Sequence, residues 1–210
     1  MILLSHRGSW NESRPKNSLA AFEKSFDSGF GTETDFRDHN GSLVISHDPA
    51  SPAALPAAEF FAALKARDKS LIVAVNIKAD GLQDMLKQAI LENEVENYFL
   101  FDMSIPDALM SIRAGLRVFT RQSEVEPVPN FYPEAAGVWM DGFFTDEWLT
   151  SEAIHAHLKA GKQVGLVSPE LHGRPHLQFW ERLLNSNLHL HPAVILCTDA
   201  PEEAKTYFKL

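Results

Sequence analysis

Two carboxylates stand two positions apart in the segment from Gly31 to Pro49. The stretch from Thr32 to Phe36 is predicted to form a strand, because β-branched and aromatic residues dominate it and a glycine precedes it. Residues two apart on a strand share a face, so Glu33 and Asp35 point the same way. Neighbouring carboxylates repel each other unless a cation lies between them. This pair therefore predicts a cation-binding face.

A turn signal follows the acidic pair directly. Asn40-Gly41 is a strong two-residue hairpin turn, and Leu43–Ile45 is predicted to return as the second strand of the hairpin. That strand delivers His47 just before the strand-breaking Pro49. Local geometry alone therefore predicts that a proton-transferring histidine comes back near the carboxylates.

The elements that position these residues alternate between apolar strands and amphipathic helices, about eight times. This alternation indicates parallel strands with helical crossovers, and eight units fit a closed (β/α)₈ barrel, of the α/β class, as one domain over residues 1–210. An open doubly wound sheet is the alternative. The predicted strands are Ile2–Ser5, Thr32–Phe36, Leu71–Lys78, Tyr98–Met103, Leu116–Thr120, Val138–Phe143, Val164–Val167 and Ala193–Cys197.

Active sites of such barrels lie at the carboxyl ends of the strands, and most of the predicted ends carry polar residues. His6 and Arg7 follow the first predicted strand, and Trp10 in the next loop is predicted to line the mouth of the barrel. Arg121 is a candidate anion-binding residue at another end. The candidates at these positions are His6, Arg7, Trp10, Glu33, Asp35, His47, Asn76, Lys78, Arg121 and Glu170.

Composition narrows the class of protein. The chain has 210 residues and a formal net charge of −9, which argues against nucleic-acid partners and anionic membrane surfaces. The single Cys197 excludes an intramolecular disulfide, and its apolar neighbours predict a small buried side chain. No apolar run approaches the length needed for a signal peptide or a membrane span, so we expect a cytoplasmic protein without membrane insertion.

Four motifs, in a fixed order, resemble the glycerophosphodiester phosphodiesterase family. They are His6-Arg7-Gly8, the helix start Asn17-Ser18-Leu19-Ala20-Ala21-Phe22, the strand Glu33-Thr34-Asp35, and the hairpin end Val44-Ile45-Ser46-His47-Asp48. Asn76-Ile77-Lys78 and Thr198-Asp199-Ala200-Pro201 resemble the E-x-K and T-D-x-P patterns further along the family. The resemblance is dense over residues 1–48 and sparse but correctly ordered after that.

The resemblance implies a metal-dependent phosphodiester hydrolase on a barrel of the phospholipase-C-like type, acting on a small-molecule phosphodiester. By position, Glu33 and Asp35 would hold one divalent cation, Mg²⁺ or Ca²⁺, and His6 and His47 would be the general acid–base pair. Arg7 and Lys78 would contact the phosphate. These roles agree with the chemistry, since hard oxygens suit hard cations and two histidines can move protons near neutral pH.

Three departures from the family pattern bear on these roles. Asn76 stands where the family has a glutamate that binds the metal, so the site has less negative charge, and Glu170 is our candidate to compensate. The segment from Pro49 to Ser70 replaces a longer insertion, so the barrel has no sizeable insertion there. Lys16 stands where the family often has glutamate, and a solvent-facing lysine is the simple expectation.

Two other functions remain open from the sequence. One is a phosphodiester lyase that releases a cyclic product. The other is a non-catalytic barrel that binds a phosphate ester and has a degraded metal site marked by Asn76.

Overall fold

The computed structural model describes all 210 residues, which group into two compact units. One unit comprises Met1–Leu4 with Phe119–Leu210, and the other comprises Ser5–Val118. The expectation of a single domain stays a prediction. None of the helices is long and apolar enough to cross a membrane.

The unit Ser5–Val118 is built on a long central strand, β2 (Gly31–His39), which pairs in parallel with β5 (Val73–Ile77), while β5 pairs in parallel with β6 (Tyr98–Phe101). On its other edge β2 pairs antiparallel with β3, and β3 with the short β4. The elements that lie wholly in this unit are α1 (Leu19–Asp27), β2 (Gly31–His39), β3 (Ser42–Ile45), β4 (Leu55–Pro56), α2 (Ala57–Arg67), β5 (Val73–Ile77), α3 (Gln83–Glu92), β6 (Tyr98–Phe101) and α4 (Ile105–Arg113). The strand β1 (Ile2–His6) contributes its carboxyl end, Ser5 and His6.

The predicted hairpin is confirmed in detail. Asn40 and Gly41 form the turn with φ values of 49° and 77°, the two positive angles that a type I′ turn requires. The register places Phe36 opposite Ile45. Because this turn matches the twist of the flanking strands, β3 returns directly alongside β2.

Aromatic side chains form the core beneath β2. Phe22 of α1 and Phe60 of α2 meet edge to face with ring centroids 4.8 Å apart, and both rings are fully buried. Phe36, which points away from the acidic pair on β2, packs on Phe60 at 5.8 Å. Alternation along β2 thus sends Phe36 into the core and leaves Glu33 and Asp35 on the opposite face.

Besides the first part of β1, the unit formed by Met1–Leu4 and Phe119–Leu210 holds four parallel strands in the order β10 (Val194–Thr198), β9 (Gln163–Val167), β8 (Gly137–Met140) and β7 (Phe119–Gln122). Its elements are β7 (Phe119–Gln122), β8 (Gly137–Met140), α5 (Ser151–Lys159), β9 (Gln163–Val167), α6 (Leu177–Asn185), β10 (Val194–Thr198) and α7 (Pro201–Phe208), with 3₁₀ helices at Pro169–His172 and Leu188–Leu190. Cys197 is fully buried in β10, as predicted.

The sequence misplaced several elements. The strand predicted at Leu116–Thr120 begins only at Phe119, because Val118 makes a single isolated bridge to Leu100 instead of a ladder. A 3₁₀ helix at Pro169–His172 follows β9, where the sequence gives no periodic signal. The short strand β4 was not expected, since its two residues give no periodic signal.

Candidate functional site

Asp35 is the centre of the candidate site. Its side chain is completely buried, yet three donors surround the carboxylate. The Asn17 amide donates a hydrogen bond to Oδ2 at 2.8 Å, and Arg7 Nε forms an ion pair with the same oxygen at 2.9 Å. Lys78 Nζ lies 3.4 Å from Oδ1. The buried negative charge is therefore offset by two cations and one amide.

Glu33, two residues earlier on the same face, is also buried. Its Oε1 accepts a hydrogen bond from the Asn76 side-chain amide at 3.1 Å, and its Oε2 lies 3.9 Å from His6 Nε2. Burial raises the pKa of the Glu33 carboxyl; the partly offsetting attraction of His6 lowers it, and the Asp35 charge raises it again. The predicted acidic pair is thus confirmed as a shared face, with His6 and Asn76 beside Glu33 and with Arg7, Lys78 and Asn17 beside Asp35.

The backbone after β1 holds Arg7 in place. Arg7 N–H donates to Glu33 C=O at 2.8 Å, and Asn17 N–H returns to Arg7 C=O at 3.0 Å. Arg7 itself has φ of 60°, an uncommon conformation for a residue with a side chain. At the next position, a Cβ on Gly8 would lie 2.7 Å from the backbone carbon of Ala21, so only glycine lets the loop approach α1 this closely.

Asn17 ties the helix start to the acidic strand, a role that the sequence did not reveal. Its carbonyl oxygen accepts from Thr34 Oγ1 at 2.9 Å while its amide donates to Asp35. Its φ of 60° falls in the left-handed region, which asparagine tolerates better than most residues. Ser18, the next residue, is the N-cap of α1 and accepts from Ala21 N–H. Ser18 therefore caps α1, while the adjacent Asn17 connects the start of the helix to β2.

Lys78 follows β5 and contacts a second carboxylate besides Asp35. Asp102, the first residue after β6, places Oδ2 3.7 Å from Lys78 Nζ. Asp102 has φ of 70°, and strained backbone of this kind concentrates at functional sites. The signal available in the sequence was only a polar residue at a strand end. Lys78 therefore lies between two carboxylates, one on each side of β5.

The backbone before His47 returns to the acidic strand as predicted, but the contacts of its side chain lie elsewhere. The hairpin backbone does return to the acidic strand, since Ser46 N–H donates to Asp35 C=O at 3.0 Å. The His47 side chain, however, is about half exposed and pairs through Nδ1 with Asp48 Oδ1 at 2.9 Å. It lines, together with Arg7, a pocket of about 890 Å³. His6 and His47 thus each have a carboxylate neighbour, Glu33 and Asp48 respectively.

The remaining candidates lie elsewhere. Trp10, in the loop after β1, carries the Lys16 ammonium over its ring at 4.4 Å. Arg121 lies in the other compact unit, where its Nε pairs with Glu126 Oε2 at 2.7 Å. The predicted anion-binding role of Arg121 stays a prediction.

Glu170 also lies in the other unit, in the 3₁₀ turn after β9. Its carboxylate accepts hydrogen bonds from Ser168 Oγ and Thr198 Oγ1, both at 2.5 Å, and from Asp199 N–H at 3.1 Å. These contacts tie the ends of β9 and β10 together. Its compensation for Asn76 in a metal site stays a prediction that these hydrogen bonds do not favour.

The donor atoms of the acidic face partly suit a hard cation. Glu33 Oε2, Asp35 Oδ1 and Asn76 Oδ1 are buried side-chain oxygens without a hydrogen-bond partner, and such oxygens are the ligands that Mg²⁺ and Ca²⁺ prefer. No group of three or more histidine, cysteine, aspartate or glutamate side chains in residues 1–210 is arranged to hold a metal. The set therefore fits a cation held by two acidic residues and an amide, in competition with Lys78 and Arg7.

The sequence matches no protein-family model and no curated protein. The structure, in contrast, is similar over its whole length to three solved structures of glycerophosphodiester phosphodiesterases, each 14% identical. The protein from Parabacteroides distasonis has a TM-score of 0.76, with 99% of this chain and 96% of that one covered. Those from Agrobacterium tumefaciens and Thermotoga maritima have TM-scores of 0.74 and 0.69, with coverage of 100% of both chains and 98% of both chains. The chain therefore has the α/β barrel fold of the glycerophosphodiester phosphodiesterases, as the motifs predict.

Proposed function

We propose that this protein is a phosphodiesterase that hydrolyses a glycerophosphodiester or a related small phosphodiester. One observation carries the proposal: in a chain with this fold, the acidic pair of β2 contacts three basic side chains, those of His6, Arg7 and Lys78. His6, the two cations and the acidic pair supply three functions that phosphodiester cleavage needs. These are proton transfer, charge neutralisation and an oxygen-rich cation site.

Arg7 and Lys78 would bind the phosphate. Both side chains are about one-fifth exposed, so each can keep its contact with Asp35 and still present donors to a ligand. Arg7 also lines the pocket that His47 lines. Negative charge grows on the non-bridging oxygens during attack at phosphorus, and fixed cations stabilise it without having to reorganise.

His6 and His47 would move the protons. His6 Nε2 lies 3.9 Å from Glu33 Oε2, so the imidazole is positioned beside the acidic face where the phosphodiester would react. Asp48 accepts from the Nδ1 of His47, and this contact leaves the Nε2 of His47 for exchange with a ligand. One imidazole would take the proton of the nucleophile and the other would protonate the leaving alcohol.

Glu33, Asp35 and Asn76 would hold one divalent cation such as Mg²⁺ or Ca²⁺. When bound, such a cation neutralises phosphate charge and lowers the pKa of a nucleophilic oxygen. Because Asn76 brings no charge and Asp35 already has two cationic partners, we expect weak binding. Isothermal titration calorimetry with Ca²⁺ on the wild-type protein and on Glu33→Gln measures this directly.

The test of the function is a panel of glycerophosphodiesters followed by ³¹P NMR, with Mg²⁺, Ca²⁺ or EDTA. Hydrolysis gives a phosphomonoester directly, whereas a lyase releases a cyclic phosphodiester first. Wild-type protein should produce the monoester, and His6→Ala should lose the activity while Lys24→Gln, on the exposed face of α1, keeps it. No turnover under any of these conditions would refute the proposal.

A non-catalytic binder of phosphate esters is the second candidate. Two observations favour it: no three histidine, cysteine, aspartate or glutamate side chains are arranged to hold a metal, and Asp35 is already ion-paired with Arg7 and Lys78. In that case phosphate esters would bind in calorimetry without turnover.

A further inference from the structure

The pocket beside Arg7 has two walls of different chemistry. One wall is the loop from Arg7 to Leu19, and the other is the segment from Ile45 to Glu59. Its volume of about 890 Å³ far exceeds the needs of a phosphate group alone. Room therefore remains for the alcohol portion of a phosphodiester whose phosphate lies at Arg7.

Lys16 is a second cation on the same wall as Arg7. Its Nζ lies 4.4 Å from the centroid of the Trp10 ring, within the range of a cation–π contact. The neighbouring Asn17 is tied to both Arg7 and Asp35 by the hydrogen bonds described above. The Trp10 ring and the tethered Asn17 hold the ammonium group of Lys16 beside the pocket while leaving it partly exposed.

The two walls also differ in how strongly their charges act inside the pocket. Asp48 and Glu59 carry the negative charges of the second wall, but both are exposed, with the Asp48 side chain at 87%. Water screens exposed charges efficiently. Lys16 is only partly exposed, so its field extends further into the pocket, whereas the charge of Arg7 is partly offset by its ion pair with Asp35. The pocket thus favours an anionic group over a cationic one.

We infer that Lys16 determines specificity, by recognising a negatively charged group on the leaving alcohol of the substrate. This inference rests on the proposed phosphodiesterase function. Arg7 and Lys78 bind the phosphodiester itself, and Lys16 contacts a carboxylate carried by the alcohol on the pocket side. The preferred substrate class is a glycerophosphodiester of an anionic alcohol.

Two probes isolate this charge. Glycerophosphoserine and glycerophosphoethanolamine differ by a single carboxylate on the leaving alcohol. One charge-assisted contact should favour glycerophosphoserine by about tenfold in kcat/KM for the wild-type protein. Lys16→Gln should reduce this ratio to about one, through loss of the serine compound, and Lys16→Glu should invert it. Lys24→Gln is the matched control and should keep the wild-type ratio, because Lys24 lies outside the pocket on α1.

A binding measurement separates this inference from the proposed function. In the His6→Ala background, the dissociation constants of the two probes are measured by calorimetry, with and without Lys16→Gln. A tenfold tighter Kd for glycerophosphoserine that disappears with Lys16→Gln supports the inference whether or not the wild-type protein turns either probe over. Equal dissociation constants, or no binding of either probe, would overturn it. Equal turnover of both probes would overturn it while leaving the phosphodiesterase intact.

Discussion

Replacing Asp35 by asparagine tests whether this residue is chiefly an ion-pair partner in the metal-free protein. Asp35→Asn keeps the shape of the side chain and removes its charge. In the structure this charge faces Arg7 Nε at 2.9 Å and Lys78 Nζ at 3.4 Å, and the carboxylate is completely buried. The variant therefore leaves two cations without their partner.

The distances set the size of the effect. At an effective dielectric constant of about 20, the attractions of Asp35 to Arg7 and to Lys78 are about 6 and about 5 kcal/mol before the cost of desolvation. Breaking a buried ion pair typically costs 3–5 kcal/mol, roughly. Since Arg7 and Lys78 are about one-fifth exposed and regain some hydration, we expect a loss of about 3 kcal/mol in the free energy of unfolding.

Urea denaturation in EDTA, followed by circular dichroism, measures this loss. Lys78→Met and the double variant complete a cycle whose coupling energy we expect to be about 2 kcal/mol. Asp38→Asn, at an exposed position on the same strand, is the matched control and should change stability by less than about 0.5 kcal/mol. If Asp35→Asn instead stabilises the metal-free protein, repulsion from Glu33 dominates and the ion-pair account is refuted.

Three further predictions concern stability. Gly8→Ala should lower the free energy of unfolding by about 3 kcal/mol in urea denaturation, because it adds both positive-φ strain and a clash with Ala21. Gly41→Ala, with open space around it, should lower it by only about 1 kcal/mol. Equal losses would contradict the close approach of the Gly8 loop to α1. Phe60→Ala should cost about 3–5 kcal/mol by the same measurement, since it empties the centre of the aromatic core, and a smaller loss than 1 kcal/mol would contradict that packing. Burial lowers the pKa of His157 below its usual 6.5, so the unfolded chain takes up the proton first, and the free energy of unfolding should fall as the pH drops below 6.5. In thermal melts, His157→Gln should show a weaker fall. A pH profile unchanged from that of the wild type would contradict the role of His157.

The hairpin and the acidic face could be predicted because their causes are local. Asn40-Gly41 specifies its own turn, and the two-residue period places Glu33 and Asp35 together whatever the rest of the chain does. Side-chain contacts between neighbouring strands could not be predicted in this way. That Lys78 pairs with Asp35 depends on the parallel register of β2 with β5, which no local signal determines.

The tethering residues were hidden for a related reason. The motif that begins at Asn17 indicates only a helix start, and the structure shows the Asn17 amide on Asp35 while Ser18 is the N-cap. Asp102 gives no sequence signal beyond a polar strand end, although its backbone strain marks it in the structure. For Glu170 the metal-ligand role stays a prediction, and the hydrogen bonds that join the ends of β9 and β10 could not be predicted, because they depend on contacts between distant residues.

The most direct test of the central claim is the rate of glycerophosphoethanolamine hydrolysis by His6→Ala compared with His39→Ala. His6 approaches Glu33 at the strand ends, whereas His39 lies at the far end of the hairpin beside Asn40. General acid–base catalysis contributes roughly 10²–10⁴-fold, so His6→Ala should lose at least about a hundredfold in kcat/KM while His39→Ala stays within about twofold of the wild type. Equal rates for the two variants, with both proteins folded, would contradict the assignment of catalysis to this site.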